Sequence, residues 1–298
     1  MKTAISFIVF ALFLVSKSFS QHYGVPPERT DTTLILGTYN IQFFGERKHD
    51  LNHLARVIER FDICGIQEVK NPKAVKFLID TLESLTKEDW GYVHGFPTYR
   101  PGGKYQETSA FVFRKSKVEL GDGVISNVWD KDEKYRNDPF FCSFKAGHFD
   151  FSILQIHTRW SNDDYGSRAG EVEEIANQVE AFKENAWDED VIVMGDFNYS
   201  ANSKVIKAFC EELNLINVDP NPKTTFKKDN SDYASSYDHL FLDTKHTSEF
   251  VDSSSFAFDV TSFVYGDSSK ESMKKSKSEL SDHLPVYAVF RINGKDDD

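Results

Sequence analysis

The sequence predicts one α/β domain of roughly 260 residues built on mixed sheets. Three observations predict it. Short apolar runs alternate with helix-period segments early in the chain, strands dominate later, and neither a fixed-period repeat nor a linker separates the two regions. This pattern leaves the number of sheets open.

Leu34 to Phe44 reads as a buried strand with polar Asn40 and Gln42 near its end. Residues 47–60 carry Leu51, Leu54, Val57 and Ile58 at helical spacing. Asp62 to Val69 is a second apolar strand ending in Gln67-Glu68, and Pro72 suits the first turn of a helix running to about Leu85. Ser109 to Arg114 and Val118 to Ile125 read as strands. Phe140 to Phe144 and Phe149 to His157 form a hairpin around Ala146-Gly147-His148. Residues 168–186 are helical, Val191 to Met194 is a short buried strand running into Gly195-Asp196-Phe197-Asn198, and a helix follows at about 203–213. Tyr237 to Leu242 is a strand, the Ser/Lys-rich residues 267–280 read as a flexible loop, and Leu284 to Ile292 closes the domain as an alternating strand.

Hydrophobic residues make up 40% of the chain and charged residues 28%, ordinary values for a protein with a sizeable core. The net charge of −12 excludes a protein that holds nucleic acid by bulk positive charge, though not an enzyme that meets phosphate through metal ions and local cations. Three cysteines exclude a disulfide scaffold and a four-cysteine zinc site; Cys64, Cys142 and Cys210 read as small buried hydrophobes. Lys2, the apolar run Ala4 to Val15 and Ser18-Phe19-Ser20 have the form of a signal peptide, cleaved before Gln21. The expected organisation is a signal peptide at 1–20, a lead-in at 21–31, the domain at 32–293 and an acidic tail at 294–298. The mature protein is expected to be secreted, or periplasmic in a double-membrane bacterium, monomeric and without stable membrane association.

One pattern recurs. Apolar strands end abruptly in a carboxylate, amide or imidazole at Asn40, Glu68, His157, Asp196 with Asn198, and Asp238, and Asp282-His283 stands just before the last strand. Polar groups at strand ends can converge on one sheet edge, where loops leave room for a ligand. Oxygen ligands of this kind suit Mg²⁺ or Mn²⁺, with Ca²⁺ a further candidate. Zinc, Walker A, dinucleotide and Gly-x-Ser-x-Gly motifs are absent. Two histidines with separate acidic neighbours suit proton transfer at a phosphodiester, one accepting from water and the other donating to the leaving oxygen.

Thr38-Tyr39-Asn40-Ile41-Gln42, Ile66-Gln67-Glu68-Val69, Tyr105-Gln106-Glu107, Ile156-His157-Thr158, Gly195-Asp196-Phe197-Asn198, Ser236-Tyr237-Asp238 and Ser281-Asp282-His283-Leu284-Pro285 occur in that order. Together they resemble the endonuclease/exonuclease/phosphatase superfamily, most of all its deoxyribonuclease I branch. The resemblance implies a four-layered α/β sandwich, two mixed β-sheets packed face to face with helices on both outer faces. It implies Glu68 as the principal metal ligand, with Asn40 and Asp282 beside it. It makes His283 the general base oriented by Asp238, and His157 the general acid oriented by Glu107. Asp196 and Asn198 would bind a second metal or the scissile phosphate, and Tyr105 would pack in a DNA minor groove.

Three departures from the family's pattern stand out. Gln42 occupies a position that is often basic, an Arg-acid-Pro segment is shifted to Arg136-Asn137-Asp138-Pro139, and Ala201 and Ser235 replace an expected cysteine pair. Lys70, Arg159 and Arg100 are candidate substitutes for the missing cations. Asn198-Tyr199-Ser200 also matches a glycosylation sequon, read as accidental. The functional expectation is a secreted, metal-dependent DNA endonuclease. A sphingomyelinase-like or small-molecule phosphodiesterase on the same core is the alternative, and a non-catalytic binding protein is a third reading that the intact set of histidines and acids disfavours.

Overall fold

A computed structural model describes residues 23–96, 107–123, 125–128, 130, 134–162, 166–185, 189–218 and 222–295. The expected signal peptide, Arg100, Tyr105 and residues 296–298 lie outside the described residues.

β1 (Thr33–Phe44) runs through α1 (Leu51–Ile58) to β2 (Ile63–Val69), and α2 (Pro72–Thr86) leads to β3 (Trp90–His94) and β4 (Thr108–Arg114). Local chemistry sets these bounds. Asp50 caps α1 by accepting from His53 N at 3.0 Å, and Asn71 caps α2 at Lys73 N, with Pro72 in a first turn that needs no N–H. The short β5 (Glu119–Leu120) and β6 (Ser126–Asn127) precede the hairpin of β7 (Phe140–Ala146) and β8 (Phe149–His157). Then come α3 (Arg168–Asn185), β9 (Val191–Asp196), α4 (Lys204–Leu213), β10 (Ile216–Asn217), β11 (Asp238–Leu242), β12 (Phe256–Ala257), α5 (Val260–Tyr265), α6 (Lys270–Glu279) and β13 (Val286–Arg291).

The strands form two mixed sheets, ordered β12-β13-β1-β2-β4-β3 and β10-β11-β9-β8-β7-β5, with β6 also on β7. In each sheet the central pair is parallel, β1 with β2 and β8 with β9, and the other pairings are antiparallel. The facing surfaces bury an aromatic-rich core, including Leu34, Leu36, Phe111, Phe144, Phe151 and Met194. The first sheet's outer face packs on α1 and α2 through Leu54, Val57, Val75 and Leu78. The second packs on α3 and α4 through Val172, Ile175, Ile206 and Phe209. This is the four-layered sandwich. Cys64 and Cys142 are buried and Cys210 half-buried, all three as free thiols.

Two expectations are corrected. Lys270–Glu279 is a helix, not a flexible loop: Ser269 accepts from Ser272 N at 3.2 Å, and Ser272, Met273 and Ser276 make its buried face. Serines at helical spacing carry no apolar signal, so composition reads as loop. Of the strand expected over Val118 to Ile125, the described residues keep only Glu119–Leu120; Gly121 and Gly123 then lie close against Ser143, and the next strand begins beyond the range, at Ser126. The edge strand β3 and the short α5 had no clear sequence signal.

Candidate active site

Register brings the polar strand ends together. In the parallel β8/β9 pair His157 lies opposite Asp196, and in the antiparallel β9/β11 pair Asp238 lies opposite the same residue. In the first sheet Asn40 of β1 pairs with Gln67 of β2, which places Glu68 at the same edge. Gly195 is what lets β9 pass so close to β8: its φ is 136°, and a Cβ there would sit 2.0 Å from Ile156 O.

Two imidazoles converge on one carboxylate. His283 Nε2 and His157 Nε2 each lie 3.7 Å from Asp196 Oδ2. Behind them, His283 Nδ1 donates to Asp238 Oδ2 at 2.8 Å, and His157 Nδ1 donates to Glu107 Oε1. Each carboxylate fixes its ring's tautomer and aims Nε2 into the cleft. Glu107 also accepts from Lys70 Nζ at 2.8 Å, and Asn137 Nδ2 donates to His157 O at 3.1 Å.

Burial opposes charge at both rings, but the acids prevail. His157 is pushed up to about 10 by Glu107, with Asp196 and Glu68 adding to it. His283 is held well above its usual value by Asp238 and Asp196. Burial pushes Asp196 up to about 6 despite the two imidazoles. Glu107 is also buried, yet His157 and Lys70 bring it down to about 2.

Oxygen donors gather beside this pair. Asn40 Nδ2 donates to Glu68 Oε1 at 3.1 Å and to Asp196 Oδ2 at 3.0 Å, while Asn40 Oδ1 is buried without a hydrogen-bond partner. Phe43 N donates to Glu68 Oε2 at 3.0 Å, and Asp282 faces the same pocket. Partly exposed carboxylates beside an orphaned amide oxygen, with no thiolate among them, fit a hard divalent cation. Asp196, Asp238 and His283 also offer donor atoms within 4.8 Å of one another, but His283 and Asp238 already bond each other. Glu68 and Asn198 hold φ of 59° and 50°, a strained left-handed backbone of the kind that clusters at functional sites.

Asn198 donates from Nδ2 to Thr158 O at 2.9 Å, and its N–H donates to Asp196 Oδ1 at 2.8 Å, so the Gly-Asp-Phe-Asn turn is locked onto β8. Arg159 is not a substrate cation. Its side chain is 1% exposed and donates from Nε to Glu171 Oε2 at 3.0 Å, with α3 supplying the acid just beyond the end of β8. Lys70 reaches the pocket but is bound to Glu107. Gln42, which sequence comparison marks as a departure, donates from Nε2 to Asp282 Oδ2 at 2.7 Å and accepts from Arg47. Ser281 is a further positioning group: its hydroxyl donates to Asn40 O at 2.6 Å and accepts from Gln42 N and His283 N, both at 3.2 Å. Its place in the Ser-Asp-His motif was the only sequence signal for this.

The model of the Endonuclease/Exonuclease/phosphatase family matches residues 37–283. A protein named Deoxyribonuclease from Thioalkalivibrio sp. (strain K90mix) is 28% identical over 281 residues, covering 90% of this chain and 73% of that one. Deoxyribonuclease-1 of Homo sapiens is 28% identical over 180 residues, covering 56% of this chain and 61% of that one, so the chain spans less than two thirds of the human relative. Among solved structures, an endonuclease/exonuclease/phosphatase family protein from Bacteroides thetaiotaomicron matches with a TM-score of 0.58 at 18% identity, covering 88% of this chain and 97% of that chain. The mannosyl-6-phosphatase of Bacteroides thetaiotaomicron VPI-5482 matches at 0.55 and 18%, covering 86% and 98%. At such identity the two structures speak for the fold alone.

Proposed function

The chain belongs to the endonuclease/exonuclease/phosphatase family, and on that premise we propose that it is an exported endonuclease hydrolysing DNA phosphodiester bonds with Mg²⁺ or Mn²⁺. Relatives named as deoxyribonucleases support a nuclease-like hydrolase. Export rests on the N-terminal sequence pattern. Among the described residues no helix is long and apolar enough to cross a membrane.

One observation carries the chemistry: two carboxylate-backed imidazoles aim Nε2 at a common carboxylate from 3.7 Å each. A phosphodiester seated beside Asp196 and Asn198 meets both rings. His283 Nε2 takes the proton of the attacking water as the new P–O bond forms. The bond to the leaving oxygen breaks, and that oxygen takes its proton from His157 Nε2. His157, pushed up to about 10, carries that proton at neutral pH. Glu68, Asp282 and the amide oxygen of Asn40 would hold the cation, which when bound supplies charge stabilisation at the phosphate and lowers the proton affinity of His283. Gln42 keeps Asp282 turned toward the cleft.

The test incubates supercoiled plasmid and sphingomyelin vesicles with the full chain, in Mg²⁺ and in excess chelator. Nicking in Mg²⁺ alone is expected. Full nicking in chelator, or sphingomyelin turnover without nicking, rejects the reading.

A further inference from the structure

Two aromatic side chains stand in the open on the rims of the catalytic pocket. Trp160 is 67% exposed and Phe43 is 46% exposed, and both line the cleft that holds the two histidines. Trp160 follows β8 on the second-sheet side. It meets Tyr237 in a T-shaped contact, with ring centroids 6.4 Å apart and planes at 71°, and most of the indole remains in solvent. Phe43 lies near the end of β1 on the first-sheet side, with φ 51°. A bulky residue adopts that left-handed backbone only where its surroundings impose it. Here the turn keeps Phe43 N on Glu68 while its ring remains in solvent. Lys70 Nζ sits 5.7 Å from the centre of that ring.

Of the cations that line the same pocket, Arg136 stands exposed and the two deeper ones are engaged by acids. Lys70 is bound to Glu107 at 2.8 Å and Arg159 to Glu171 at 3.0 Å, in a chain of net charge −12. A duplex is gripped mainly through its phosphates, by cations that release its counterions. A strand whose bases are unstacked can instead lay them on aromatic faces, and that contact accepts any base.

We propose that this site takes nucleic acid whose bases are unstacked at the cut, with Trp160 and Phe43 as the platforms that receive bases on either side of the scissile phosphate. Its preferred substrate is then a single strand, and duplex is cut where it opens locally. The proposal rests on the nuclease reading above and adds the substrate class. A lipid surface is the lesser fit, because the two rings belong to the sides of different sheets and do not stand together on one protruding apolar face.

Three labelled substrates test it with the full chain in Mg²⁺: a mixed-sequence single strand, the same sequence as a blunt hairpin duplex, and an all-abasic strand of equal length with a tetrahydrofuran backbone. Wild type is expected to cut the base-bearing strand at least about 10-fold faster than the duplex or the abasic strand, at limiting substrate. Trp160→Ala should erase most of the preference for bases over no bases, Trp160→Phe should restore it, and Phe43→Ala should reduce it. Affinity for the single strand, measured by anisotropy in chelator, should fall about 10-fold in Trp160→Ala while depending only weakly on salt. Circular dichroism checks the fold of each variant. Equal cutting of duplex and single strand, or a base preference untouched by Trp160→Ala, overturns the platforms and leaves the nuclease reading standing. Turnover of sphingomyelin vesicles with no nucleic acid cut overturns both.

Discussion

Replacing Glu107 by Gln keeps a hydrogen-bond acceptor behind His157 and removes the charge. Burial acts against protonation of His157, and Glu107 is the foremost of the acids that overcome it and hold the ring at about 10. Without the foremost of those charges, burial draws the ring down toward its ordinary 6.5, with Asp196 and Glu68 left to oppose it. In the limit of 6.5 the ring is about 3% protonated at pH 8, so a step that needs the imidazolium slows by up to about 30-fold. At pH 7 the deficit is about 4-fold, and near pH 6 it falls below about 1.5-fold. The assay is initial nicking rate in Mg²⁺ from pH 6 to 9 for both proteins. Titration of His283 is common to the two, so their ratio isolates His157. Lys70, left without its partner, keeps access to water with 18% of its side chain exposed, and a thermal melt checks that the fold survives. A wild-type to variant ratio that stays constant across this range refutes the claim that Glu107 sets the protonation of His157.

Other consequences are equally measurable. Glu68→Gln should lower Mg²⁺-dependent nicking by at least about 10²-fold and weaken Mn²⁺ binding in calorimetry, with the melting temperature little changed; unchanged Mn²⁺ affinity would remove Glu68 from the ligand set. In chelator, the His157–Glu107 pair predicts a plateau of stability. Its contribution is lost as pH rises from 6.5 through about 10, where His157 deprotonates, and as pH falls from 4.5 through about 2, where Glu107 protonates. The stability difference between wild type and Glu107→Gln in urea titrations should therefore be flat between those ordinary values, because Asp196, raised to about 6, titrates in both proteins, and a difference that keeps growing up to pH 9 would contradict the pairing. Gly195→Ala forces a Cβ to within 2.0 Å of Ile156 O, so it should cost at least about 2 kcal/mol in urea unfolding and separate His157 from Asp196; wild-type stability would be incompatible with this register.

Much of the site was legible because its groups sit at the ends of short apolar strands, where a polar residue interrupts an otherwise buried run. His157, Asp196 and Asp238 stand out in this way, and parallel and antiparallel register then makes them neighbours. What escaped were pairings across long sequence distances. Arg159 looked like a spare cation because Glu171 sits on another element, and Gln42 looked like a lost phosphate contact because its partners are Arg47 and Asp282. The helix Lys270–Glu279 escaped for a different reason: serines can line a buried face by hydrogen bonding and small size, and hydropathy does not register them.

The Ser281 hydroxyl has a consequence for how the protein comes into being. It joins Asn40 to the segment carrying Asp282 and His283 across a separation of 241 residues, and β13 must add antiparallel to β1 for that join to form. Contacts so distant along the chain carry a large loop-closure cost and form late in folding. While it is being synthesised, the chain can fold β1 against β2 and even close the β7–β8 hairpin, yet it lacks Asp282 and His283, a cation ligand and the base of the proposed mechanism. On that proposal, cleaving power arrives only with completion of the first sheet, and an unfinished chain spares the nucleic acid around it.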